Sequence, residues 1–203
     1  MNTKKLSTSR SIFKPDQPLR KIMVMRIGVF VGSIRREGRG ATIGKWVLDS
    51  VADVAGAEFG LVDLKDFNVP LLDVPYMPAG CEGSYPDPEV QRFADAVASY
   101  DGFIFVTPEY NGGVPGPMKN AVDHLMVEWS GKPVAFVGYG GNGAARAVTA
   151  WRPIVKNFKM RDVENALALN VFGEDAQGEE FAPRPEKAEE LKAIVAELLK
   201  EEA

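Results

Sequence analysis

This chain of 203 residues has one cysteine, one histidine and no long apolar run, and each shortage excludes something. Cys81 has no second cysteine with which to close an intramolecular disulfide, and Cys81 with His124 is too few ligands for a Cys/His zinc site. A disulfide scaffold and a zinc finger are therefore ruled out, and no metal site is expected. No stretch approaches the roughly 18 consecutive apolar residues of a membrane-spanning helix, and the first residues lack the apolar stretch of a secretory signal. The expectation is a cytoplasmic protein with no membrane partner. Positive charge is also scarce: the net charge of −4 argues against a nucleic-acid partner.

What charge there is divides unevenly. Residues 1 to 21 hold six basic residues against the single acid Asp16, a net of +5, which leaves −9 for the remainder. With Pro15, Pro18 and little apolar content, residues 1–22 read as a basic, disordered tail ahead of a single domain over 23–203. An organelle-targeting role and a non-native start, given Met23 and Met25 just before the first strand, are the other readings of this segment. The hydrophobic content of 45% is enough to fill one continuous core.

Along that domain, apolar runs with strand character alternate with helix-periodic segments. Strands are expected at 26–33 (RIGVFVGS), 58–64, 102–107 (GFIFVT), 133–139 (PVAFVGY) and 163–172. Helices are expected at 42–54, 88–99, 117–129, 144–158 and 185–202, with Pro153 kinking or splitting the fourth. Near-continuous apolar strands alternating with helices require a parallel sheet covered on both faces, the doubly wound α/β class. Ligands of that class bind beyond the carboxyl ends of the strands, so the loops after strands one, three and four are the places to search. The segment 65–87, with four prolines, reads as a structured flap or rim.

The first loop, Gly32 to Thr42, joins a strand to a helix start and supplies backbone N–H groups, hydroxyls and three arginines, which suits a phosphate. It is not a Walker loop, because Glu37, Gly38 and Arg39 stand where Gly, Lys and Ser/Thr are required. A surface loop with solvated arginines is the plainer alternative; the position between strand one and helix one favours phosphate. The loop after strand three, Thr107 to Pro117, brings Glu109, Tyr110, Asn111 and flexible glycines together, a mixture that suits a planar polar ring. A proline-braced turn into a helix explains its glycines and prolines but not Glu109, Tyr110 and Asn111 in a row. After strand four, Gly138 to Gly143 formally satisfies GxGxxG, yet a dinucleotide fingerprint belongs in the first βα turn. Arg146, one turn into the next helix, reads as a surface salt bridge in preference to a nucleotide-phosphate contact.

Three segments together, GSIR at 32–35, TPEYNGGVPGPMKNAVDHL at 107–125 and GKPVAFVGYGGNGAARA at 131–147, resemble the NADPH-dependent FMN reductases, the group that includes quinone, azo-dye and chromate reductases. The resemblance runs from about residue 26 to about 172. It implies a flavodoxin-like five-stranded sheet of order 2-1-3-4-5 with helices on both faces, FMN as cofactor, and NADPH or NADH as co-substrate. It places the FMN phosphate on Ser33, Arg35 and the backbone from Arg39 through Gly40 to Ala41. The ring is placed along Pro108, Glu109, Tyr110, Asn111 and Gly112, with Tyr139, Gly140 and Gly141 at its pyrimidine edge. It further implies a homodimer or homotetramer, with His124 and Trp129 of the third helix at the interface, and a small-molecule electron acceptor such as a quinone or free flavin. No side chain is required as a catalytic acid or base, because the redox chemistry belongs to the cofactor. The absence of a GxSxG elbow argues against a hydrolase triad. Two rivals remain: an electron carrier without nicotinamide activity, and a cofactor-free scaffold or regulatory protein on the same fold.

Overall fold

The structure is a computed structural model, and it describes residues 24–200. The basic segment at 1–22 lies outside the described residues.

The alternation of strands and helices holds throughout. The sheet consists of β1 (Met25–Val31), β2 (Ala57–Asp63), β3 (Gly102–Pro108), β4 (Pro133–Gly140) and β5 (Arg161–Asn170), all parallel and in the order β2-β1-β3-β4-β5. Five helices connect or close it: α1 (Gly40–Val51), α2 (Pro88–Ala98), α3 (Gly116–Asp123), α4 (Ala145–Asn157) and α5 (Glu186–Leu198).

Side chains alternate across the strands, so each face of the sheet has its own apolar set. One face carries Phe30, Phe103, Phe105, Val134 and Phe136, and it packs on α2, α3 and α4 together with Trp129 and Trp151. Phe105 sits centrally, edge-on to Trp129, Phe136 and Trp151 with ring centroids 5.6 to 5.9 Å apart. That geometry is favourable beyond the area it buries. The other face is mainly aliphatic, with Ile27, Val29, Val31, Ile104, Val106 and Val137 against α1 and α5.

Local chemistry explains several boundaries. α2 opens on Asp87, whose carboxylate accepts from the N–H groups of Glu89 (2.8 Å) and Val90 (3.2 Å), with Pro88 in the first turn. α3 ends at Asp123, six residues short of the expected Trp129. Its last turn tightens to i→i−3 bonds at His124 and Leu125, and the Trp129 indole N–H donates to the Val122 carbonyl at 3.1 Å. A buried indole needs a partner, and a helix terminus leaves carbonyls free, so the chain folds back to join them. His124 and Trp129 are thereby buried inside the protomer at 1% and 0% exposure, which removes them from the expected subunit interface.

Pro153 does not split α4 into two elements. Its ring is on the exposed side, while Trp151 and Val155, both fully buried, anchor the helix on either side of the missing N–H. β5 stops at Asn170 instead of reaching Phe172. Beyond it an unanticipated hairpin, β6 (Ala176–Gln177) with β7 (Glu180–Phe181), follows buried Asp175, which accepts from the N–H of Asn170 at 2.7 Å.

The flap expected at 65–87 is structured and contains two single-turn 3₁₀ segments, Leu64–Asp66 and Pro78–Gly80. Asn120 on α3 holds it by donating to the Pro70 carbonyl (2.7 Å) and accepting from the Leu72 N–H (2.9 Å), and His124 Nε2 meets the same Pro70 carbonyl at 2.9 Å. Asn120→Ala removes one donor and one acceptor from this anchor. It should lower stability by about 1–3 kcal/mol in urea unfolding and speed proteolytic cleavage within the flap.

Candidate functional site

The loops after β1, β3 and β4 all leave the carboxyl edge of the sheet next to one another, because β1, β3 and β4 are adjacent strands. A cavity of about 280 Å³ opens among them, and its walls include Arg35, Arg39, Pro108, Glu109, Tyr110, Tyr139 and Gly140. Seven of the residues expected at the site thus share one cavity. Ser33 and Gly40 adjoin it through Tyr110 and Tyr139, and Ala41 follows Gly40 in the first turn of α1. Asn111 and Gly112 form the tip of the β3–α3 turn and Gly141 is exposed in the β4–α4 loop; these three are outside the cavity wall.

Hydroxyl groups converge at the first loop. Ser33 is 2% exposed, and its Oγ lies 3.5 Å from the Tyr110 hydroxyl. The Tyr110 side chain therefore reaches from the β3–α3 loop toward the β1–α1 loop. Tyr139, at the end of β4, aims its own hydroxyl at the same place: a Cβ added to Gly40 would come 3.1 Å from that oxygen and 3.0 Å from the Ser33 Cβ. Any side chain at this position would need its neighbours to give way by a few tenths of an ångström. Burial is the main reason the Tyr139 phenol is pushed up to about 12, so it stays protonated and able to donate far above neutral pH.

α1 begins at this point with no side-chain cap and no acidic residue in its first turn. Its leading N–H groups carry the positive end of the helix dipole, and Arg35 adds a full charge nearby. The other cavity arginine is committed elsewhere. The Arg39 guanidinium donates to the carbonyls of Val171 and Glu179, and lies 5.2 Å from the Phe172 ring centroid. Arg39 thus ties the loop after β5 onto the loop after β1, leaving its backbone as what it offers an anion.

The β3–α3 loop is a tight reversal. Tyr110 and Gly113 exchange both backbone hydrogen bonds at 3.1 Å, with Asn111 at φ +52° and Gly112 at φ +82° between them. Two consecutive left-handed residues in an Asn-Gly pair mark a type I′ turn. Glu109, just before it, does not present its carboxylate to the cavity as a free charge. The Arg146 guanidinium beside it, at 2.5 Å, holds the carboxyl below the usual glutamate range. The surface salt bridge expected of Arg146 is this one.

The glycines after β4 serve packing. A Cβ on Gly138 would lie 2.2 Å from the Gly143 carbonyl, and one on Gly143 would lie 2.4 Å from the Ala168 Cβ. The GxGxxG pattern therefore records close approach of the β4–α4 loop to β4 and β5, and Gly141, with nothing within 4 Å, is merely open. Four cavity residues were absent from the expected set: Glu37, Gly38, Val171 and Phe172. Phe172, 78% exposed, was hidden by its assignment to the fifth strand, and Gly38 lay inside the very loop already singled out. A second, larger cavity of about 730 Å³ lies by Ile34, Leu64, Phe67, Leu71, Val114 and Pro117. It is apolar, and the polar side chains on its wall satisfy one another or the flap: Lys119 with Asp123 at 2.5 Å, and Asn120 with Pro70 and Leu72. Among the described residues no group of three or more His, Cys, Asp and Glu side chains is placed to hold a metal ion.

Comparison with known proteins identifies the family. Residues 25–174 match the family model for NADPH-dependent FMN reductases. An NAD(P)H-dependent FMN reductase of a Nectria species is 36% identical, over 87% of this chain and 98% of that protein. A quinone reductase of Pseudomonas putida is 32% identical over 61% of this chain and 68% of its own length. The solved structure of FerB from Paracoccus denitrificans, a flavoenzyme NAD(P)H:(acceptor) oxidoreductase, superposes with a TM-score of 0.65 over 87% of this chain and 96% of its own, and at 22% identity attests the common fold. The chain belongs to the NADPH-dependent FMN reductase family and is an FMN-dependent NAD(P)H oxidoreductase.

Proposed function

We propose that FMN binds across the three loops with its phosphate at the start of α1, and that the enzyme reduces a quinone, free flavin or similar small acceptor. One observation carries this reading: an uncapped helix N-terminus, the Gly40 close approach and three hydroxyls meet at the same end of one cavity. The donor set fits a phosphate. Ser33 Oγ, the hydroxyls of Tyr110 and Tyr139, the Arg35 guanidinium and the N–H groups from Arg39 through Gly40 to Ala41 are all donors, and Glu109, the acid nearest the ring side, is already neutralised by Arg146.

FMN, when bound, supplies the ring that takes hydride from NAD(P)H and passes two electrons to the acceptor. The protein's part is to hold and orient. Backbone N–H groups of Asn111 and Gly112, with those of Gly140 and Gly141 across the cleft, would steady negative charge on the polar edge of the ring. Pro108, Tyr110 and Tyr139 restrict where it lies, and no side chain need move a proton. Phe172 and Val171 form an apolar wall of the same cavity, against which a flat co-substrate or acceptor can rest.

The assembly proposed is a homodimer or homotetramer in the cytoplasm. Leu71, 81% exposed, and Ile34 line one apolar surface of the kind that a second copy covers. No helix among the described residues is long and apolar enough to cross a membrane.

The direct test is to load purified protein with FMN, remove the excess, and add NADPH and then NADH without oxygen. Retained flavin that is bleached, and recovers its colour on adding a quinone, is the expected result; retained flavin that neither nucleotide bleaches would mean an electron carrier. Arg35→Ala should weaken FMN binding about tenfold or more by fluorescence titration while leaving the unfolding transition in place. Tyr139→Phe should weaken it two- to tenfold, roughly the worth of one hydrogen bond. That loss should be constant from pH 7 to about 10, because the buried hydroxyl remains protonated there.

A further inference from the structure

The Tyr110–Gly113 turn needs something to hold it. A two-residue reversal standing alone in water is marginal, and its one side-chain link to the first loop is the long 3.5 Å approach of Tyr110 to Ser33. Glu109 supplies what is missing. Although it sits in a surface loop, its side chain is only 12% exposed, and its carboxylate collects four hydrogen bonds from the start of α4. Oε2 accepts from the backbone N–H of Arg146 at 3.0 Å and of Ala147 at 3.4 Å, and Oε1 accepts from Arg146 Nε at 2.9 Å and Nη2 at 2.5 Å.

Arg146 and Ala147 are the second and third residues of α4, and that helix has no cap of its own: Ala144 before it carries no acceptor and stands at φ +55°. Glu109 is therefore an N-cap delivered from another loop, where its charge meets the helix dipole as well as a guanidinium. The Arg146 side chain returns the contact. Its guanidinium carbon lies 3.3 Å from where a Cβ on Gly112 would stand, directly against the turn.

We infer that Glu109 is a positioning residue that locks the β3–α3 turn to the N-terminus of α4, so that the two loops flanking the flavin ring move as one unit. The inference rests on the reading that these loops flank the ring. Glu109 lines the cavity, but its carboxylate is spent on α4; through those bonds it fixes the backbone donors of one loop relative to the other, and it matters to the reaction through that spacing. An exposed salt bridge contributes little, and a half-buried carboxylate with four donors at a helix end contributes more, so the two accounts separate by experiment.

The variants are Glu109→Ala, Glu109→Gln, Arg146→Ala and the exchanged pair Glu109→Arg with Arg146→Glu. In FMN-free protein, amide hydrogen exchange of Glu109→Ala should accelerate together at Tyr110, Gly113, Arg146 and Ala147. In loaded protein, Glu109→Ala should bind FMN about tenfold more weakly, with altered visible circular dichroism of the flavin and a shifted midpoint potential. Glu109→Gln keeps the shape and loses the charge, and should fall between Glu109→Ala and the parent. Arg146→Ala leaves the two backbone bonds in place and should have the smaller effect, about threefold. The exchanged pair restores a salt bridge but sets a cation at the helix N-terminus, and should be no better than Glu109→Ala. Parent-like exchange and flavin dichroism in Glu109→Ala, or full recovery in the exchanged pair, overturns the inference. Should Glu109→Ala not fold, Glu109→Gln and Arg146→Ala carry the same readouts. If the parent retains no flavin, the FMN reading fails on its own, and exchange in the FMN-free protein still decides the coupling of the loops.

Discussion

A parallel sheet must be covered on both faces, and all its strands deliver their carboxyl ends to the same edge. Both consequences run through this molecule. The covering requirement explains two apolar layers of different character, aromatic against α2, α3 and α4 and aliphatic against α1 and α5. The shared edge brings loops separated by up to 137 positions in the chain, from Arg35 to Phe172, to one cavity. Rigidity at the strand ends matters for that convergence. Thr107, fully buried, donates to the Pro108 carbonyl and accepts from the Trp151 indole, so the third loop starts from a fixed point.

The site divides its polar groups between chemistry and support. Arg35, Tyr110 and Tyr139 line the cavity, and the buried Ser33 hydroxyl adjoins it through Tyr110. Arg39, Asn120, His124 and Glu109 spend their side chains elsewhere, on the loop after β5, on the flap and on the start of α4. All four lie in or beside motifs that look functional in one dimension. The support they give is what a site made of loops needs, since short segments without regular structure hold their shape only where side chains tie them down.

Much of this was legible beforehand. The strand and helix order followed from apolar runs and periodicity, the strand order from the family resemblance carried by GSIR, the PEYN-containing block and the β4 glycines, and the same segments pointed to the loops that line the cavity. The departures have specific causes. α3 is shorter than its sequence pattern because the Trp129 indole seeks the Val122 carbonyl, a contact that propensity does not encode. α4 continues through Pro153 because burial of Trp151 and Val155 outweighs one lost hydrogen bond. Phe172 escaped notice because β5 ends two residues early, where Asp175 takes the Asn170 N–H.

The amino-acid sequence by itself determined the class of fold, the three loops that hold the site and the kind of ligand they suit, because periodicity, glycine and proline placement and hydroxyl-rich turns are local properties. Only the tertiary structure decided which polar side chain serves which end. Glu109 and Arg146 are 37 positions apart, and Arg39 and Glu179 140 apart. Whether a carboxylate meets a ligand or caps a helix depends on what long-range packing sets beside it, and no local pattern carries that information.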